Sequence, residues 1–84
     1  MNERLVERTQ TGVRLERSLL KVLKGLAEYC DLSLGDLLEG IVLHAFEGKP
    51  PFSAKTQAAI EHLKTVYHCD LTAEDSHRLR EAGD

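Results

Sequence analysis

Residues 34–47 set the hardest condition on any fold of this 84-residue chain. Leu34, Leu37, Leu38, Ile41, Val42, Leu43, Ala45 and Phe46 are spaced for a helix yet point in nearly every direction around its axis. A helix that is apolar almost all round is buried on more than one side. So short a chain has too little other structure to surround it. Gly40, at mid-helix, lowers helix propensity by about 1 kcal/mol relative to alanine. A second backbone crossing there would account for it, and so would simple tolerance. The segment predicts an intertwined homodimer.

The flanking segments read as one strand and several helices. Thr9, Thr11, Val13 and Leu15 alternate with Arg8, Gln10, Gly12 and Arg14, a period of two that predicts a short strand over residues 8–15. No second strand follows, so its ladder partner is expected to be the same strand of another copy. Residues 17–30 change to a helical period, with Leu19, Leu20, Val22, Leu23, Leu26, Ala27 and Cys30 on one wide stripe. Asp31-Leu32-Ser33-Leu34-Gly35-Asp36 interrupts the pattern, and Ser33 is placed to cap the next helix. Gly48 and the pair Pro50-Pro51 end that helix, and Ser53 opens another that runs to about His68. A last short helix is expected after Thr72, with Asp75 reaching back to the cap. The expected division is residues 1–48 as one unit and 49–84 as a helical extension.

Charge is unevenly distributed. Residues 1–24 hold six Lys/Arg against three Glu, a net +3, while residues 25–84 hold five against eleven acids, a net −6. A basic end on an acidic remainder is the pattern of a chain that meets a polyanion with one face. No apolar run approaches the roughly 20 residues a membrane span needs. Met1-Asn2-Glu3-Arg4 carries no apolar export segment. With only Cys30 and Cys69, a reduced cytoplasmic protein is expected. His44, His62, His68, His77 and Cys69 show no ligand spacing, so no metal and no cofactor is expected. So small a domain leaves little room for both a core and a substrate cleft. No set of nucleophile, base and orienting acid assembles along it either, and an enzyme is not expected.

The order of strand, helix, turn at Ser33 and very apolar helix within residues 8–47 resembles the ribbon-helix-helix superfamily of Arc-, MetJ- and CopG-like DNA-binding proteins. Its carriers are Thr11, Val13 and Leu15, then Leu19, Leu20, Leu23, Leu26 and Ala27, the turn Asp31-Leu32-Ser33-Leu34-Gly35, and Leu37-Leu38-Glu39-Gly40-Ile41-Val42. The resemblance implies a mainly α fold in which one short N-terminal strand pairs across a homodimer. The second helices then cross, giving a dimer core of Thr11, Val13, Leu15, Leu38, Ile41 and Val42. It also implies an antiparallel β-ribbon in the major groove, with Gln10, Gly12 and Arg14 facing the bases. Gly12 departs from the pattern, having no side chain to offer. A backbone phosphate would sit at the start of the second helix, on Ser33, Leu34 and Gly35. Asp36, in the same turn, would repel it.

Arg8, Lys21 and Lys24 are candidate phosphate contacts that would make affinity salt-dependent, or else ordinary surface charge. The resulting expectation is a sequence-specific DNA-binding homodimer acting as a transcriptional repressor, open to higher-order assembly on DNA. The alternative is an antitoxin-type or other interaction module whose residues 50–84 bind a protein partner and whose DNA binding is weak or absent.

Overall fold

A computed structural model describes residues 3–83, so Met1, Asn2 and Asp84 lie outside the description, and with them the start of the segment read for export signals. Three α-helices follow in order: α1 (Arg17–Cys30), α2 (Leu34–Phe46) and α3 (Ala54–Val66), then a 3₁₀ turn at Ala73–Asp75.

Local chemistry sets the helix ends. Glu16 caps α1 by accepting from the Leu19 amide at 2.9 Å, while the Ser18 hydroxyl donates to the same oxygen at 2.6 Å. Ser33 and Ser53 cap α2 and α3, their hydroxyls accepting from the amides of Asp36 and Thr56. All three helices end in one motif. The residue after the last turn is left-handed, and its own amide and the next one donate back to carbonyls of the final turn. Gly48 fills that position after α2 (φ 68°), Asp31 after α1 (φ 57°) and His68 after α3 (φ 56°). The bonds are Leu32 to Ala27 (2.9 Å), Lys49 to His44 (2.9 Å) and Cys69 to Lys64 (2.8 Å). Only glycine takes such a φ without strain, so Asp31 and His68 are held by these bonds. At the 3₁₀ turn, Thr72 and Asp75 form the expected reciprocal cap.

Packing centres on α1. Leu26, Ala27 and Leu37 are buried together, with Leu23, Cys30, Ile41, Phe52, Ile60 and Leu63 half-buried around them. α2 and α3 each lie on α1, while their backbones stay apart from one another. Gly25 marks the close approach of α1 to α3, because a Cβ there would stand 3.0 Å from Leu63 Cδ2. A Cβ added at Gly40 would meet nothing within 4 Å, so its close crossing is not made inside this chain.

The expected N-terminal strand is not formed, and the ribbon-helix-helix architecture is corrected accordingly. Among the described residues there is no β-strand; residues 3–16 run exposed and without regular structure up to α1. The mainly α class stands. A ladder needs a second strand, and no other segment of the chain has a period of two. Gly12 and Gln10 also weaken strand propensity. Thr11, Val13 and Leu15, expected in a strand-paired core, are exposed on this arm, and the β-ribbon readout by Gln10, Gly12 and Arg14 falls with the strand.

The fold leaves much surface uncovered. Accessible area is 7676 Å², against roughly 5,000 Å² for a compact monomer of this mass. The radius of gyration is 14.3 Å, against about 12 Å for a compact chain of this length.

Candidate functional site

Two surfaces stand out, one apolar and one basic. The apolar one is the side of α2 turned away from α1. Leu37 and Ile41 face inward, and Leu38 is half-buried between the two sides. Val42, Leu43 and Phe46 are 43%, 62% and 82% exposed. Of the expected dimer core, then, Ile41 already belongs to the chain's own core. Leu38 and Val42 border the uncovered face.

The basic surface is the solvent side of α1 and the arm that leads into it. Arg17, Lys21 and Lys24 are exposed at i, i+4 and i+7, one line down the helix opposite Val22 and Leu26. The line is about 10 Å long at the α-helical rise. Among the described residues, none of these three makes an ion pair. The sequence reading singled out Lys21 and Lys24 but not Arg17, whose spacing to them was the available signal.

The arm's own arginines are occupied. Arg8 donates from Nε and Nη2 to both carboxylate oxygens of Glu39 on α2, at 2.8 and 2.7 Å. Arg14 grips both oxygens of Glu81 in the same way, with Nε at 3.0 Å. The hydrogen bond from Arg8 holds the Glu39 carboxyl below its ordinary range and raises the guanidinium's own pKa. Gln10 and Gly12 lie exposed between these two anchors. Glu39 and Glu81 were not expected as partners, because pairs 31 and 67 residues apart leave no periodic trace in a sequence.

At the start of α2 the residues expected to hold a phosphate lie together. The Ser33 hydroxyl accepts from the Asp36 amide at 3.1 Å, which leaves the turn to the Leu34 and Gly35 amides. Asp36 is exposed in that same turn. Its carboxylate favours the helix end and disfavours an incoming anion.

Between α1, α3 and the C-terminal segment lies an open groove of about 500 Å³, walled by Leu19, Val22, Leu26, Ile60 and Leu71. Among the described residues no cluster of three or more His, Cys, Asp or Glu could hold a metal ion, and Cys30 and Cys69 are free thiols. No described helix is long and apolar enough to cross a membrane. Comparison with protein-family models, with curated proteins and with solved structures returned no match to this chain.

Proposed function

We propose that the chain works as a homodimer, closed across the outer side of α2, that binds duplex DNA through α1's basic line and the adjoining arm and so regulates transcription. The observation that carries the DNA reading is the exposed line Arg17, Lys21 and Lys24, unpaired among the described residues and running on from the arm. Cations in a row on one helix face match a phosphate backbone and give salt-dependent affinity. The dimer is supported by the uncovered face of α2; the roughly 2,700 Å² of accessible area beyond a compact monomer's is shared by that face, the extended arm and the open groove. A standard interface takes only about 800 Å² per partner. The net −6 of residues 25–84 keeps the rest of each copy off the polyanion.

The test is an electrophoretic shift with a random duplex pool at low salt. Retention that weakens steeply with salt is expected. Lys21→Ala should weaken binding to all sequences alike and lower the salt slope by about 1 per lost contact. No retained duplex at about 50 mM salt, where phosphate contacts are strong, would instead select a self-associating interaction module. That second reading is favoured by the occupied Arg8 and Arg14 and by Asp36 at the α2 start.

A further inference from the structure

The two arginine grips on the arm share one geometry. In each, a guanidinium presents Nε and Nη2 side by side to both oxygens of one carboxylate. That same two-pronged face takes a phosphate, or the O6/N7 edge of guanine. Both grips are open to water, with Arg8 and Glu39 side chains 66% and 45% exposed and Arg14 and Glu81 83% and 54%. Exposed pairs of this kind are screened by water and weak, so they exchange readily. Each carboxylate comes from a different part of the body, Glu39 from the outer side of α2 and Glu81 from beyond the 3₁₀ turn. Between them they anchor an arm that has no other regular structure.

We infer that Glu39 and Glu81 are internal stand-ins for nucleic-acid anions, occupying Arg8 and Arg14 in the free protein and giving way when a duplex offers phosphates or guanine edges. The inference rests on the DNA-binding reading above and adds its regulation. In the exchange each arginine trades one bidentate acceptor for another, while the released carboxylate returns to water. The stand-ins therefore lower affinity for any isolated anion. They matter least where a duplex supplies several acceptors at once, and in that way they set a threshold against weak, non-specific contact. Acidic residues that only repelled DNA at a distance would act through total charge. These act through one named arginine each, and the two cases can be separated.

The experiment titrates a labelled duplex into the full chain and its variants at two salt concentrations. Glu39→Gln and Glu81→Gln should each tighten binding about two- to fivefold per arm. Glu61→Gln, the same charge change on the exposed side of α3, should do markedly less. In an Arg14→Gln background the gain from Glu81→Gln should shrink to that of Glu61→Gln, and in an Arg8→Gln background so should that from Glu39→Gln. Arg8, Arg14, Glu61 and Glu81 lie off α2, so their variants should show unchanged folding in thermal melts. For Glu39→Gln, on the side of α2 where the homodimer closes, sedimentation at matched concentration should also show the wild-type assembly. If the wild-type chain binds duplex and Glu39→Gln and Glu81→Gln match Glu61→Gln, the stand-in role is overturned while DNA binding survives. A gain that stays above that of Glu61→Gln without the paired arginine overturns it too. If no variant retains duplex at any salt, the DNA reading itself fails and takes the inference with it.

Discussion

α1 and α2 are nearly the same length and end in the same left-handed motif, yet their outer surfaces differ in kind. α1 turns Arg17, Lys21 and Lys24 to water, opposite its buried Val22, Leu26 and Ala27. α2 buries Leu37 on one side and leaves Val42, Leu43 and Phe46 uncovered on the other. The first is a helix completed by water. The second leaves adjoining large apolar side chains in water, and an exposed patch of that kind is a common mark of an interaction site. One chain thus carries one uncovered apolar face and one exposed basic line, and the two can be perturbed separately.

The strongest way to break the comparison is to charge α2's outer side. In a lone chain Val42 is partly in water, and Val42→Asp would change stability by no more than about 0.5 kcal/mol. Across a two-fold interface the substitution appears twice and leaves uncompensated carboxylates in an apolar seam. The expected cost is then about 3–5 kcal/mol. Sedimentation should show a dimer for the wild type and a monomer, folded or not, for the variant. The wild-type thermal midpoint should rise with protein concentration. A wild-type monomer with a dilution-independent midpoint would remove the distinction between the helices.

Next in size is the inner side of the same helix. Leu37 is only 3% exposed and sits with Leu26 and Ala27. Leu37→Ala should destabilise by about 3 kcal/mol through lost transfer energy and a residual cavity. Chemical denaturation at fixed protein concentration measures it. Because Leu37 faces α1 within one chain, this loss should persist under dilution, unlike that of Val42→Asp.

These contrasts also show what could be read in the sequence. Apolar spacing gave α1 over 17–30 and α2 over 34–47, against observed ends at Cys30 and Phe46. Ser33, Ser53 and the Thr72–Asp75 cap were legible because capping chemistry is local. The strand was not a safe inference, since alternation at Thr11, Val13 and Leu15 says nothing of whether a ladder partner exists. The cap at Glu16 was missed too, because a glutamate is an unusual residue there. The site was only half legible. Lys21 and Lys24 lie on the exposed basic line, but the occupation of Arg8 and Arg14 depends on residues far along the chain. Gly25, unlike Gly40, breaks no apolar pattern in the sequence, because close approach of helices is a tertiary fact.

Gly40 supplies a smaller test. It lies on a different side of α2 from Val42 and Phe46, and an added Cβ would meet nothing within 4 Å. Gly40→Ala should therefore stabilise by about 0.5–1 kcal/mol through helix propensity and a less flexible unfolded chain. Thermal melts at matched concentration measure it. A loss of stability would mean that the second copy crosses at Gly40, so that the partner-facing side of α2 is wider than its outer row.

The smallest expected effect concerns the start of α1. The Glu16 carboxyl lies below its ordinary range, first because the Ser18 hydroxyl donates to it and then because the Leu19 amide does. A carboxylate depressed on folding contributes stability above its unfolded pKa, and the contribution is lost as pH falls through the folded value. The unfolded chain takes up the proton first, so in that window it binds more protons than the folded one and stability rises with pH. The window opens near the ordinary glutamate value of about 4.3 and extends downward. Glu39 is depressed in the same direction, by Arg8, but it secures the arm and not a helix end. Melting followed between pH 5 and pH 3, the span on either side of the glutamate range, should therefore be flatter for Glu16→Gln than for the wild type. By the same linkage Glu39→Gln should also flatten the acid limb, and less than Glu16→Gln, because its pair with Arg8 is exposed and screened by water. If Glu39→Gln flattened the curve and Glu16→Gln did not, the arm would belong to the cooperative unit, and α1's outer surface would not be complete without it.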